Sequence, residues 1–373
     1  MCRKSIRYKL NQYINSAILE AKQASIKNVR PNPLVGAIIL DEKNKIVGAG
    51  FHAEFGKDHA EVVAIKNAKK NGADLSNCTL VVSLEPCSHY GKTPPCTNLI
   101  IESGIKKVIV GSKDPNPVVR GIDLLKEHNI DVILIESQEA SDLNKEFFTN
   151  QHYRRPFIIA KAAITRDEQM AKDDGSSKWI SGEKSRAYTH EVLRSGVNAI
   201  LTTAKTVLTD DARFTIRTND SVSELTTIVI DRNLELLKNK NLAIHYARKS
   251  SKLFLVAEKI PNHITLNPNT EIIESTFIDG KLEFESLLTQ LYKNHSIYSL
   301  LIEAGPTFLN ALLDKNWVDE FVLFKSPNSF HNRCDRFKLD LSKLAALKEE
   351  ASWELDVDVV KTYSTQNWRV HKH

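Results

Sequence analysis

Short runs of β-branched and other apolar residues recur along this chain with helix-period segments between them, and that alternation narrows the choice of fold more than any other feature. Residues 35–40 form an unbroken apolar run, and 41–45 turn the chain into Ile46-Val47, a hairpin pattern. Further strands are predicted at 79–84, 107–110 and 132–135. Helical spacing appears at 11–27, where Ile14, Ala17, Ile18, Ala21 and Ala24 share a face, and at 59–70, where Ala60, Val63, Ala64 and Ala68 do. Shorter helices are predicted at 96–103, 122–127 and 139–148. Strands alternating with helices of about ten residues predict an α/β domain with an at least partly parallel sheet.

The polar, basic stretch 149–156 (Gln151, His152, Arg154, Arg155) reads as a linker, and a second alternation follows it. Its strands fall at 157–160, 199–202, 227–230, 253–256, 300–303 and 321–324, with Ser181 capping a helix through 187–194. Residues 231–268 carry few helix signals, and no fixed-period repeat is present. The 373 residues divide into two domains, 1–150 and 151–373.

Composition excludes several classes. With 42% hydrophobic and 26% charged residues, the chain has the means to bury cores and is not a disordered chain. A formal charge of +5 is a small excess, and 7% aromatic residues supply no basic stripe with interleaved rings, so no nucleic-acid partner is expected. Five cysteines, an odd number (Cys2, Cys78, Cys87, Cys96, Cys334), make no disulfide framework. No apolar run approaches the roughly 18 residues of a membrane span, and none follows Met1 as a leader would. No membrane partner and a cytoplasmic location are therefore expected.

His59-Ala60-Glu61 opens the second helix, Pro86-Cys87 follows a strand, and Cys96 comes later in the same region. One imidazole and two thiolates make a zinc (Zn2+) set with a fourth position open, the pattern of a catalytic and not a closed structural site. Glu61, two residues from His59, can move protons without being a ligand. Nucleoside and nucleic-acid deaminases space the two cysteines by two residues; here residues 88–95 intervene. Either that loop bulges out or the cysteines do not share a metal, and its rigid polar sequence His89-Tyr90-Gly91-Lys92-Thr93-Pro94-Pro95 argues for the bulge. Asn32 between two prolines, His52, and Asp114-Pro115-Asn116-Pro117 after a strand end suit the same site, each also fitting an ordinary turn.

The second half has no G-x-G-x-x-G after a strand, so a standard dinucleotide fold is not supported. Leu300-Leu301-Ile302-Glu303-Ala304-Gly305-Pro306-Thr307 is a strand, a glycine and a helix start, fit for a phosphate and equally for a plain connection. Lys161, Asp210 and Arg217, gathered at one cleft, would suit a sugar phosphate; scattered surface charges are the alternative.

The strings Pro31-Asn32-Pro33-Leu34-Val35-Gly36, His59-Ala60-Glu61, Leu84-Glu85-Pro86-Cys87-Ser88-His89, Gly91-Lys92-Thr93-Pro94-Pro95-Cys96 and Asp114-Pro115-Asn116-Pro117 resemble the deaminase domain of bacterial riboflavin-biosynthesis proteins of the RibD type. Beyond Pro156, Lys178-Trp179-Ile180-Ser181, Thr206-Val207-Leu208-Thr209-Asp210-Asp211 with Arg217, Glu303-Ala304-Gly305-Pro306-Thr307 and Val318-Asp319-Glu320 resemble the reductase half of the same proteins. The resemblance implies an N-terminal cytidine-deaminase-like α/β/α domain and a dihydrofolate-reductase-like α/β domain. It implies zinc on His59, Cys87 and Cys96, with Glu61 as proton shuttle. The implied substrate is a phosphorylated pyrimidine, 2,5-diamino-6-(5-phosphoribosylamino)pyrimidin-4(3H)-one, met by Asn32, His52, Lys92 and Asn116 and deaminated at C2. NADPH-dependent reduction of the ribosyl group to ribityl would follow, on Lys161, Ser181, Asp210, Arg217 and Glu303, with Thr165, Asp167, Thr206, Gly305 and Thr307 toward the cofactor. The family also suggests a homodimer or homotetramer through the reductase domain.

The chain departs from the family at several points. Residues 118–122 keep one glycine, Gly121, of a usual pair; Glu168 stands where glycine is usual; Ser181 replaces threonine and Ala212 proline. Asn328-Ser329-Phe330-His331-Asn332 replaces a glycine-containing turn. An alternative follows from these departures, a zinc deaminase with a degenerate, non-catalytic second domain.

Overall fold

The computed structural model describes residues 3–176, 179–218, 220–331 and 335–365. Cys2, Lys178, Asn332 and Cys334, all named in the sequence reading, lie outside the described residues, as do residues 366–373. Two compact units form, one running to Tyr153 and the other beginning at Arg154.

In the first unit, β1 Gly36–Leu40, β2 Ile46–Phe51, β3 Thr79–Leu84, β4 Lys107–Ser112 and β5 Asp131–Leu134 make one sheet in the order β2-β1-β3-β4-β5. β1 is antiparallel to both neighbours, while β3, β4 and β5 run parallel. β1 is buried along its whole length, which is why its sequence is an apolar run and not an alternation. Helix Arg3–Ala21 covers one face, packing Ile14, Ala17 and Ile18 on Ile38, Leu40 and Val81. Helix Ala60–Lys70 covers the other with Ala60, Ala64, Ile65 and Ala68. The first helix lies so close that a Cβ on Gly36 would stand 2.0 Å from the Ala17 carbonyl oxygen, so only glycine fits there.

Three boundaries differ from expectation. The first helix stops at Ala21, where Gln23 and Ala24 make tighter i→i+3 bonds to Glu20 and Ala21, and a single turn re-forms at Ile26–Val29. The expected helix 139–148 is two, Gln138–Leu143 and Lys145–Tyr153. They part at Asn144, whose side chain is taken up by Leu34, accepting from its N–H at 2.8 Å and donating to its carbonyl at 2.9 Å. The second of these helices runs through most of the expected linker. Its Phe148, Thr149 and Asn150 are buried, so the polarity of 149–153 marks part of a helix and not a loop. The chain turns instead at Arg154, whose φ is +53°.

The second unit is built on β6 Phe157–Ile164, β7 Ala199–Thr203, β8 Ile216–Arg217, β9 Val222–Ser223, β10 Thr226–Ile230, β11 Leu253–Ala257, β12 Thr270–Glu274, β13 Phe277–Ile278, β14 Lys281–Leu282, β15 Ser299–Ile302, β16 Glu320–Lys325, β17 Lys348–Leu355 and β18 Asp358–Ser364. Its main sheet has nine strands in the order β12-β11-β10-β7-β15-β6-β16-β18-β17. The strands from β12 to β16 run parallel, and β18 and β17 add an antiparallel ribbon at one edge. Apolar clusters cover both faces of the sheet. All six expected strands are present. β17 was not expected because it is an edge strand rich in charge (Lys348, Glu349, Glu350, Glu354) with no apolar run to mark it.

Ser181 is not the helix cap. Gly182 precedes helix Glu183–Tyr188, and the helix continues into a π-helical turn, Thr189–Arg194. The stretch after Asp231 holds two single-turn helices, Glu235–Lys238 and Ala243–Tyr246; the Asp231 carboxylate starts the first by accepting from the Glu235 and Leu236 N–H groups. Among the described residues no helix is long and apolar enough to cross a membrane.

Candidate active sites

His59 is the residue before the first turn of helix Ala60–Lys70, in extended backbone, which frees its imidazole from the packed helix face. Cys87 lies just past the carboxyl end of β3, and Cys96 is the first residue of helix Cys96–Glu102. His59 Nδ1 stands 3.5 Å from Cys87 Sγ and 3.3 Å from Cys96 Sγ. The three donor atoms all lie within 4.8 Å of one another. The loop 88–95 therefore bulges out, and the cysteines share one site. The Cys96 backbone N–H, free at the start of its helix, donates to Cys87 Sγ at 3.2 Å. His59 Nε2 faces Thr93 Oγ1 at 3.3 Å; a proton donated there leaves the Nδ1 lone pair aimed at the sulfurs.

The electrostatics follow from this packing. The Cys96 side chain above all, then His59 and the Cys96 N–H, outweigh burial and lower the Cys87 thiol to about 4. Cys96 is pushed up, first by Cys87 and then by burial. Glu61, in the first turn of its helix and 3% exposed, is raised to about 7 by burial and the neighbouring Cys87 charge. One imidazole nitrogen and two sulfurs, with no fourth protein donor in the cluster among the described residues, suit zinc with an open position. The residues fit the ion that the sequence implied.

Around this centre, Asn32 Nδ2 donates to His52 Nε2 at 3.0 Å, and His52 Nδ1 donates to the Asp58 carbonyl at 3.1 Å. Burial lowers the His52 pKa and keeps the ring neutral for this pairing. Asn116 sits in a turn closed by Asp114 Oδ1, which accepts its N–H at 2.8 Å. Sequence reasoning passed over Glu85, which ties that turn to the metal-site strand. Its carboxylate accepts from Asp114 N–H at 3.2 Å and Ile122 N–H at 2.9 Å. Gly121 is retained for a packing reason, since a Cβ there would stand 1.9 Å from the Pro86 carbonyl oxygen. Asp114 is raised to about 7, chiefly by burial and in part by Glu85. Lys92 reaches out from the bulged loop, its ammonium 4.0 Å above the centre of the Phe55 ring.

In the second unit, Lys161 lies on β6, and Glu303 directly follows β15, which pairs with β6. Glu303 is held by Arg194 through two bonds, 2.7 and 3.0 Å. Arg194 also donates to the Thr215 carbonyl at 2.6 Å. Burial alone would raise Glu303, but Arg194 and Lys161 outweigh it and hold the carboxyl at about 2. His190 accepts the Arg217 backbone N–H on Nδ1 at 3.1 Å, and its Nε2 lies 3.2 Å from the Arg217 side chain. Burial, with Arg194 and Arg217 nearby, lowers His190 to about 4. Lys161 makes no ion pair among the described residues; burial lowers its pKa against the pull of Glu303. Lys161, Glu303 and Arg217 thus join one charged cluster through Arg194 and His190, neither of which the sequence reading singled out.

The other expected residues fall elsewhere. Ser181 gives its carbonyl to Arg186, and Gly182 beside it donates to Asp358. Asp210 ends helix Ala204–Asp210, whose first turn holds Thr206 against Thr203. Thr165 donates to Asp167, and Asp167 accepts the N–H groups of Phe330 and His331 at 3.2 and 2.9 Å, so this pair fastens the altered turn. Glu168 has φ +65°, which explains the usual glycine at that place. Gly305 precedes helix Pro306–Asp314 with no side-chain cap, and a Cβ on it would meet nothing within 4 Å. That open helix start, with the Thr307 and Phe308 N–H groups unspent in the helix, suits a cofactor phosphate.

Residues 156–360 match the model of the RibD C-terminal domain, and residues 7–112 that of the cytidine and deoxycytidylate deaminase zinc-binding region. The chain is 36% identical to riboflavin biosynthesis protein RibD of Aquifex aeolicus, over 80% of this chain and 81% of that one. It is 32% identical to the protein of the same name from Escherichia coli, over 85% and 88%. Among solved structures it is similar to a diaminohydroxyphosphoribosylaminopyrimidine deaminase/5-amino-6-(5-phosphoribosylamino)uracil reductase from Thermotoga maritima, at TM-score 0.82 and 34% identity, covering 96% of this chain and 99% of that one. Acinetobacter baumannii RibD aligns at TM-score 0.77 and 28% identity, over 96% and 99%.

Proposed function

The chain belongs to the RibD family of riboflavin-biosynthesis proteins, and from that premise we propose which residues carry each of its two reactions. It is a bifunctional enzyme, a zinc-dependent deaminase joined to an NADPH-dependent reductase, and it acts on small molecules. The deaminase substrate is 2,5-diamino-6-(5-phosphoribosylamino)pyrimidin-4(3H)-one, and the reductase substrate is the deaminated product, 5-amino-6-(5-phosphoribosylamino)uracil. A cytoplasmic enzyme assembled as a homodimer or homotetramer through the reductase domain agrees with this reading.

His59, Cys87 and Cys96 would hold zinc, which when bound would act as a Lewis acid at neutral pH. Glu61 takes a proton from the attacking water for the ring nitrogen and then passes the second, hydroxyl proton to the leaving amine. A carboxyl raised to about 7 by burial suits a group that must both accept and give a proton near neutrality. Asn32, fixed by His52, orients the pyrimidine, and Asn116 and Lys92 hold the sugar-phosphate end. In the second unit NADPH, when bound, would supply hydride for reduction of the ribosyl group. Lys161 and Arg217 hold the anionic chain, Glu303 keeps Arg194 in place, and Ser181 and Asp210 complete the substrate side. Gly305 and Thr307 would receive cofactor phosphate at the open helix start, Thr206 would also face the cofactor, and Thr165 and Asp167 shape the turn on the cofactor side.

The observation that carries the reading is the convergence of His59, Cys87 and Cys96 beside buried Glu61 in a chain whose second half matches the family's reductase. A deaminase with a non-catalytic second domain is not favoured, because the altered turn is fastened by Asp167 and Lys161 still faces Glu303. The test is ammonia release and NADPH oxidation, measured separately on zinc-loaded protein, the second with deaminated substrate. Both activities at enzymatic rates support it; ammonia release without NADPH oxidation overturns the reductase half.

A further inference from the structure

We propose that Phe55 is a positioning residue that presents the Lys92 ammonium to the substrate's anionic group and so sets the deaminase's preference for a phosphorylated substrate. The proposal rests on the reading of Lys92 as the phosphate-holding arm.

Lys92 is exposed and belongs to the loop that bulges between the two cysteines. A lysine there would normally sample many rotamers. Here its ammonium sits 4.0 Å over the centre of the Phe55 ring. Gly56, next in the chain, has φ +82°, and the one atom near a Cβ built on it is Lys92 Cδ, at 3.4 Å. The lysine stem therefore lies across Gly56 while its head rests on the ring, and Phe55 and Gly56 together form a seat.

The seat is fastened at both ends to the site. The Phe55 N–H donates to the Asn28 carbonyl at 2.9 Å, and His52, three residues earlier, is bonded to Asn32. On the other loop, Thr93 follows Lys92 and meets His59. Phe55 is 38% exposed, so its ring is not a core residue held by burial. Its partner matters for the chemistry as well. An aromatic face attracts a cation without neutralising it. A carboxylate in the same place would compete with the phosphate. Among the described residues Lys92 makes no ion pair, so its charge stays available.

The experiment compares Phe55→Ala, Phe55→Trp and Lys92→Ala in the zinc-loaded full chain, assaying deamination of the phosphorylated substrate and of its dephosphorylated form. Phe55→Ala is expected to raise KM for the phosphorylated substrate about three- to tenfold, with kcat within about twofold and KM for the dephosphorylated form unchanged. Phe55→Trp restores KM, and adding Phe55→Ala to Lys92→Ala has no further effect. Equal losses on both substrates would mean general loop damage and overturn the proposal. So would a KM that rises in Lys92→Ala but not in Phe55→Ala. If Lys92→Ala itself leaves KM unchanged, the assignment of Lys92 as the phosphate arm fails, and the proposal fails with it. Unchanged zinc content and an unchanged rate on the dephosphorylated form confirm that the deaminase unit of Phe55→Ala is folded.

Discussion

The metal site of the first unit and the charged cluster of the second are assembled in opposite ways. His59, Cys87 and Cys96 come from a helix start, the end of β3 and a second helix start, and backbone N–H groups fix their surroundings: the Cys96 N–H donates to Cys87, and the Asp114 and Ile122 N–H groups of the neighbouring turn donate to Glu85. In the second unit Lys161, Arg194, Arg217 and Glu303 come from distant parts of the chain, and the Glu303 carboxylate is held by the charges of Arg194 and Lys161. A site positioned by backbone tolerates the loss of a reacting group without losing its shape. A site positioned by charge pairs does not, because a removed partner leaves a buried charge uncompensated.

The largest expected effect tests the first half of that contrast. Glu61→Gln should retain zinc and lose deamination by about 10²- to 10⁴-fold, since it removes proton transfer and no ligand. Metal analysis beside ammonia release checks it; loss of zinc would show that Glu61 holds the site together. Next, Arg194→Met should destabilise the second unit by about 3–5 kcal/mol by leaving Glu303 buried and unpaired. Thermal melting measures this, and deamination should survive. A variant as stable as the parent would break the comparison.

Lys161→Ala should slow NADPH oxidation by about 10- to 100-fold, the usual worth of a charge-assisted hydrogen bond to substrate, and leave deamination intact. Loss of both activities would mean that the two sites do not act separately. Acid should also weaken the second unit. Folding holds His190 at about 4, below its ordinary 6.5, so its neutral form stabilises the fold fully above pH 6.5 and progressively less as pH falls toward 4. Glu303, held at about 2 against an ordinary 4.5, contributes fully above pH 4.5 and loses its contribution as pH falls toward 2. Melting temperature should therefore drop between pH 6.5 and 4 and drop further below, and His190→Gln should flatten the upper part of that curve.

The smallest effect is at Glu168, whose left-handed backbone disfavours any side chain. Its pairing with Lys338 is long, 3.6 Å, and partly exposed. Glu168→Gly should raise stability by about 1 kcal/mol or less, visible as a small gain in melting temperature. A clear loss would show that the Lys338 contact matters more than the backbone strain.

The deaminase centre was nearly complete in the sequence because its residues lie in short strings at element ends. His59-Ala60-Glu61, Pro86-Cys87 and Cys96 announce themselves by type and spacing. Glu85 and Thr93 stood in those strings without the bonds the structure gives them, because a carboxylate or hydroxyl that bonds to backbone or to a ligand's far nitrogen has no spacing signature. Asn144 lay hidden within a predicted helix, and the charges of 149–156 imitated a linker while belonging largely to a helix end. Arg194 and His190 were invisible for another reason: they sit on a π-helical turn, where helical spacing no longer tells which side chains share a face.

By itself the sequence determined the alternation of strands and helices, the donor set of His59, Cys87 and Cys96 with Glu61 beside it, and the family resemblance. These depend on residue type and on neighbours a few positions away, and local chemistry specifies them. Only the tertiary structure decided whether the cysteines across a long loop meet, which arginine holds Glu303, and how Asp167 fastens a turn far along the chain. The last two rest on the order in which β strands pair within a sheet, and that order brings together residues whose separation along the chain carries no trace of their distance in space.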